Sequence, residues 1–250
     1  MDWLLLRGLA REQRHFGAFP ALFARRVPNA RVHTLDLPGF GDQAHRTSPT
    51  SVDAIVDDLR ARVPCARPHG ILALSLGGMV ALRWAERYPD DVARVVVVNT
   101  SSADLSPPWQ RFSLAVGARL PRLLAAAPLG RERAILGITS NRAQDENEPV
   151  ARQWATWFDE VRPARANVLR QLWAASRCKS PRHLAAPLLV LASRADRLVS
   201  WRCSERLACA LHAPLLLHDA GGHDLSLDAP DWICDQVVQW LPRSSPSSSP

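Results

Sequence analysis

Three residues of the types that acyl transfer requires stand at suggestive places in the sequence: Ser75, Asp196 and His223. Ser75 sits in Ala73-Leu-Ser-Leu-Gly77, between the apolar run Ile71–Leu74 and a helical spacing through Met79, Val80, Ala81, Trp84 and Ala85. This is a variant of the G-x-S-x-G nucleophile elbow, a strained strand-to-helix turn that projects the serine oxygen above a sheet. Small residues at 73, 77 and 78 let strand and helix approach closely, and Ala73 departs from the pattern by one methyl group. A serine hydroxyl is a poor nucleophile until a base takes its proton and a third group orients that base. His223 follows an apolar run and the Gly221-Gly222 turn, and Asp196 follows the run Pro187–Leu191. Both fall on loops past the carboxyl ends of expected parallel strands, where such sheets place their sites. Asp219 and Asp224 lie too near His223 in sequence to orient its ring, and Asn99 carries no charge, so Asp196 is the expected acid. The oxyanion of a tetrahedral intermediate needs donors, for which the N–H of Leu76 and of Leu9, after Gly8, are the candidates.

The elements that must position these groups alternate. Apolar runs at Trp3–Leu6, Arg31–Leu35, Ile71–Leu74, Val92–Val98, Pro187–Leu191 and Pro214–Leu217 read as buried parallel strands. Helical patterns lie between them at Phe19–Arg26, Ser51–Val63, Met79–Arg87, Ser204–Leu211 and Pro230–Leu241. The fold class is α/β, with a mostly parallel sheet flanked by helices. Alternation stops in residues 101–182, which read as several amphipathic helices without a strand, an inserted helical cap. Residues 1–100 and 183–242 then form the core, and the Ser/Pro tail 243–250 is expected to be disordered. The cap tryptophans Trp109, Trp154, Trp157 and Trp173 are open to two readings, lining an acyl pocket or packing on the core.

Length and composition fit one ordinary globular domain: 250 residues, 47% hydrophobic and 22% charged. No apolar run is long enough to span a bilayer, and the N-terminus lacks the apolar core of a secretory signal, so a cytoplasmic protein is expected. Five cysteines, without a C-x-x-C pair or ligand-spaced histidines, suggest reduced thiols and no metal. The net charge of +7 is carried by arginine, Lys179 being the sole lysine, and is spread along the chain. This reads as a basic surface rather than a nucleic-acid site, with an acidic protein partner as the alternative.

At this point the chain resembles the α/β-hydrolase superfamily, in its serine esterase branch. The resemblance is carried by "RGL" (Arg7–Leu9), "DLPGFG" (Asp36–Gly41), "LSLGGMVAL" (Leu74–Leu82), "ERYPDDVARVVVVN" (Glu86–Asn99), "ASRADRLVS" (Ala192–Ser200) and "GGHDLSLDAPD" (Gly221–Asp231). It implies a cofactor-independent Ser75–Asp196–His223 triad with oxyanion donors at Leu76 and Leu9, acting on a carboxylic ester or thioester. The "DLPGFG" and "SLGG" segments are similar to esterases that cleave the methyl ester of pimeloyl-acyl carrier protein, which implies an acidic carrier as a possible partner. Two departures stand out. Arg7 replaces the family's usual histidine before Gly8, either as a structural substitute or as a charge near the substrate pocket. The antiparallel hairpin that usually precedes the first strand is missing, through a minimal architecture or a start placed too late, and leaves a sheet edge to be covered.

Overall fold

Alternate side chains along each strand go to opposite faces, and here both faces are apolar. Leu4, Leu6, Ile71, Ala73, Val95, Val97 and Val190 enter one buried cluster, while Trp3, Leu5, Leu72, Leu74, Val96, Val98, Leu189 and Leu191 enter the other. The computed structural model describes residues 1–242, so the tail 243–250 lies outside the described residues. Its strands are β1 (Asp2–Leu6), β2 (Arg31–Leu35), β3 (His69–Leu74), β4 (Val92–Val98), β5 (Leu188–Ser193) and β6 (Leu215–His218). They form one six-stranded sheet in the order β2-β1-β3-β4-β5-β6, every neighbouring pair parallel. Helices α1 (Phe19–Arg26) and α11 (Pro230–Trp240) cover one face. The other is covered by α2 (Val52–Arg62), α3 (Leu76–Arg87) and α9 (Trp201–Ala210). Local signals account for several ends: the Ser51 hydroxyl caps α2 by accepting from the Ala54 N–H at 3.2 Å, and Pro230 opens α11 at its first position.

No antiparallel pair occurs among the described strands, and β2 is a sheet edge. That edge is charged: Arg31 and His33 both reach Asp2 on β1, at 2.8 and 2.9 Å, which discourages strand addition. Between β4 and β5 the chain makes α4 (Pro108–Arg111), α5 (Leu114–Ala125), α6 (Pro128–Thr139), α7 (Gln144–Val161) and α8 (Arg165–Arg177), and no strand. A short helix, α10 (Leu225–Asp228), precedes α11. No described helix is long and apolar enough to cross a membrane, and all five cysteines are free.

From β1 the chain moves outward to β2, then jumps back to β3 and proceeds the other way. The switch point therefore lies between β1 and β3, and the loops leaving their carboxyl ends flank a natural crevice. The two loops are packed so closely that a Cβ on Gly77 would lie 2.6 Å from the Arg7 carbonyl oxygen and 2.8 Å from that of Leu6. Gly77→Ala is expected to cost about 1–3 kcal/mol, because backbone rather than a flexible side chain must yield. Gly137→Ala, in α6 with nothing within 4 Å of the new methyl, should instead stabilise by about 0.5–1 kcal/mol. Urea midpoints for the two variants should move in opposite directions at unchanged slope.

Candidate active site

Ser75 follows β3 and takes the N-cap position of α3 with φ 53° and ψ −116°, a conformation that costs a non-glycine residue energy and must be held from outside. Its N–H donates to Val98 O at 2.9 Å, and its carbonyl accepts from the Thr100 hydroxyl at 2.8 Å. Gly8, on the loop after β1, packs directly beneath it: a Cβ there would lie 3.0 Å from the Ser75 Cβ and 3.6 Å from its Oγ. Leu76 opens α3, where helical N–H groups have no intrahelical acceptor, and Leu9 sits in the turn after Gly8. Ser75, Leu76, Gly8 and Leu9 line the same cavity. Ala10 continues this turn with a positive φ of 55°, and its N–H donates to Gln171 Oε1 of α8 at 3.0 Å. A helix some 160 residues away thus props the strained loop beside the serine.

His223 also lines the cavity, with Asp196 behind it. The distance from His223 Nδ1 to Asp196 Oδ2 is 2.7 Å, and the carboxylate side chain is 1% exposed. The other oxygen, Oδ1, accepts from the N–H groups of Leu198 at 2.8 Å and Val199 at 3.0 Å. These bonds fix the carboxylate plane. A histidine that donates from Nδ1 to a carboxylate keeps Nε2 as its basic nitrogen.

The loop bearing His223 is clamped by residues that local sequence patterns do not reveal. Asn99, buried at the end of β4 with φ 49°, donates to His223 O at 2.8 Å and accepts from the Ser193 N–H of β5 at 2.8 Å. The Ser193 hydroxyl donates to Gly221 O. Asp228 accepts from the Gly222 N–H at 2.6 Å, the Ser140 hydroxyl at 2.6 Å and the Asn141 N–H at 2.7 Å, joining the loop to the segment after α6.

Arg7 resolves toward the structural alternative. Its guanidinium forks onto Asp224, Nη1 to Oδ1 at 3.0 Å and Nη2 to Oδ2 at 2.5 Å, and Nη1 also donates to the Ser226 hydroxyl at 2.8 Å. Both side chains are 5% exposed, and the Phe16 ring packs on the guanidinium. Burial opposes the charge on Asp224, yet Arg7 and the Ser226 hydroxyl outweigh it and hold the carboxyl below its ordinary value of 3.8. Arg7 still borders the cavity, as a cation already neutralised.

The cavity holds about 490 Å³, and its walls are largely aliphatic, with Val116, Leu120 and Leu124 of α5, Ile135 of α6 and Val168 and Leu172 of α8. None of the cap tryptophans lines it. Trp109 is 60% exposed. Trp154 is buried between α6 and α7, and it and Trp157 pack edge-on against His15. The packing alternative describes that pair, and the lining comes from unremarkable leucines and valines.

The alpha/beta hydrolase family model matches residues 3–236, and the chain belongs to that family. Among its relatives is the pimeloyl-[acyl-carrier protein] methyl ester esterase of Xanthomonas campestris pv. campestris, 28% identical over 254 residues, covering 95% of this chain and 94% of that protein. RutD of Cronobacter sakazakii, a carbamate hydrolase by name, is 31% identical over 167 residues, covering 65% of this chain but only 61% of that protein. The fold is shared with the meta-cleavage product hydrolase CumD of Pseudomonas fluorescens, TM-score 0.76 at 20% identity over 96% of this chain and 89% of that one.

The Arg7–Asp224 pair makes two predictions. Asp224→Ala should cost about 3–5 kcal/mol, because it leaves a buried guanidinium uncompensated, whereas the double variant Arg7→Met/Asp224→Leu should cost much less than the two single changes summed. The folded-state pKa of Asp224 lies below its unfolded value. Its stabilisation is therefore complete above the unfolded value near 3.8 and disappears as pH falls through the depressed folded one. The wild-type midpoint should fall more steeply below pH about 4 than that of the apolar double variant.

Proposed function

We propose that the protein is a serine esterase, in which Ser75 attacks the acyl carbon of a carboxylic ester. The observation that carries this reading is the 2.7 Å contact of His223 Nδ1 with Asp196, made by a histidine that shares one cavity with Ser75. His223 Nε2 takes the serine proton as the tetrahedral intermediate forms and returns it to the leaving alcohol. Asp196, held by two backbone N–H groups, stabilises the imidazolium. The N–H groups of Leu76 and Leu9 receive the oxyanion, and water then repeats the sequence on the acyl-enzyme, with His223 as its base. No step requires a cofactor. The aliphatic walls suit a hydrocarbon acyl chain, and the esterase relative that aligns over nearly its full length supports the ester class over an amide. Reduced cysteines fit a cytoplasmic setting.

A second reading has the acyl group delivered by an acidic carrier protein. It is favoured by the printed substrate of the Xanthomonas relative and by exposed Arg119, Arg122 and Arg177 on α5 and α8, which form no ion pair among the described residues.

Hydrolysis of p-nitrophenyl esters of increasing chain length, with wild type and Ser75→Ala in parallel, tests the proposal. Turnover should vanish in Ser75→Ala together with labelling by a fluorophosphonate probe. Asp196→Asn should lower kcat by roughly a thousandfold or more with little change in KM, because the ring loses its orienting acceptor. An unlabelled wild-type Ser75 would instead leave a binding protein built on the same fold.

A further inference from the structure

Inside the same cavity the arginines outnumber the carboxylates that could neutralise them. Arg11, Arg131 and Arg165 all line it, brought there by the loop after β1, by α6 and by the first position of α8. One carboxylate meets them. Glu132 accepts from Arg11 Nη1 at 2.7 Å with Oε2, and from Arg131 Nε and Nη2 at 3.1 and 2.8 Å with Oε1, so both its oxygens are engaged. The neighbouring acids are committed elsewhere, Glu12 to Arg14 and Asp224 to Arg7. His15, 3.3 Å from Arg11, is kept neutral by burial and by Arg11 and Arg7, and adds no negative charge.

The surplus has an atomic location. Arg11 is 8% exposed, and its Nη2 is buried with no acceptor among the described residues. Its guanidinium is packed over the Trp154 ring at 4.7 Å, which fixes its position. Arg131 is likewise held over the Phe158 ring at 3.3 Å, while Arg165, an exposed residue that also borders the cavity, makes no ion pair among the described residues. Burial lowers the Arg131 pKa, and repulsion from Arg11 and Arg165 adds to it. Buried N–H groups are rarely left without an acceptor, and like charges are rarely gathered in an apolar cavity unless a ligand completes the set.

We infer that this cavity takes an anionic ester, one that carries an ionised carboxylate besides the scissile bond, and that Arg11, Arg131 and Arg165 bind that carboxylate. Guanidinium groups bind carboxylates by charge-assisted, commonly bidentate hydrogen bonds. The aliphatic walls hold the methylene chain between the two functional groups. The half-ester of an aliphatic dicarboxylic acid has this chemistry. The inference rests on the esterase reading for its turnover, but not for its binding.

The test compares monomethyl half-esters with the dimethyl esters of the same acids, over about four to ten carbons. The half-ester should have the higher kcat/KM by roughly tenfold or more at one chain length, chiefly through KM, and added salt should narrow the gap. In Arg131→Gln/Arg165→Gln the ratio of half-ester to diester activity should collapse, and Arg131→Lys should recover part of it. Arg11 is left in place so that buried Glu132 keeps one cationic partner when Arg131 is replaced. Calorimetry of half-ester binding to Ser75→Ala, with and without the two glutamine substitutions, gives a readout free of catalysis. Equal use of both esters by wild type, or a ratio unmoved by the double substitution, would overturn the anion site while leaving the esterase reading intact. Tight, arginine-dependent binding to Ser75→Ala alongside a wild type that hydrolyses neither ester would support the site and overturn the esterase reading.

Discussion

A guanidinium taken out of water must find its countercharge, and Arg7 finds it 217 residues away in Asp224. The requirement shapes the site because β1 and β6 are far apart in the sheet. With β3, β4 and β5 between them, the two strands are separated by about 19 Å at ordinary strand spacing. The loop leaving β6 must therefore run back past the ends of β5 and β4 before His223 can approach Ser75, and past β3 as well before Asp224 can meet Arg7. It does so on fixed supports: Ser193 at the end of β5, Asn99 at the end of β4, and Arg7 at the end of β1. Each is a polar side chain at a strand's carboxyl end, bonded either to the loop's backbone or, for Arg7, to the residue after the histidine. The ion pair is the last and most heavily charged of these supports. It ties the loop that carries Leu9 to the loop that carries His223.

Half of the six non-glycine residues with positive φ among the described residues lie at the same place, while Asn29, Arg162 and His212 lie elsewhere. Ser75, Asn99 and Ala10 all adopt positive φ without being glycine, and all lie on loops at carboxyl ends of strands. Each is held by a partner from another element: Val98 and Thr100 for Ser75, Ser193 and the histidine loop for Asn99, Gln171 for Ala10. Glycine appears where the obstacle is steric proximity rather than dihedral strain, as at Gly8 beneath the serine, and at Gly222, whose Cβ would meet the Thr139 carbonyl oxygen at 2.5 Å. Through Gln171 and Asp228 the helices after β4 are bonded to both sides of the site. A rearrangement of those helices would reach the Leu9 turn and the His223 loop directly.

The strands and most helices were legible in the sequence because a buried parallel strand is a short continuous apolar run and an amphipathic helix repeats at a different period. The Leu188–Ser193 strand runs past the expected Leu191 because its last residues are chosen for the site: Ser193 is a polar support, which a hydrophobic pattern discards. The strand-to-helix turn at Ser75 was legible for a local reason, small residues around a serine at a change of period. The partner of Arg7 was not, since nothing near Asp224 in sequence distinguishes a carboxylate facing His223 from one facing away. Asn99, weighed only as an acid and set aside for lacking charge, serves through its amide geometry. The tryptophans were left open for a related reason. Spacing gives the face of a helix, but what that face meets depends on helix packing, which in this segment has few sequence constraints.

The arginine content illustrates how composition and site differ as evidence. Across the sequence the net charge of +7 reads as a basic surface. In the fold many guanidinium groups are occupied internally: Arg62 donates to Asp36 O, Arg111 to the carbonyls closing α8, and Arg197 to Ser140 O. These charges hold loops by hydrogen bonding to backbone carbonyls, so they say nothing about a ligand. Acceptor accounting separates them from Arg11, whose Nη2 has none in a cavity already short of carboxylates. A charge count cannot make that distinction, because it weighs every arginine alike. The orphaned Arg11 Nη2, taken with the cavity it shares with Arg131 and Arg165, and not the number of arginines, locates where this chain still has binding capacity to offer.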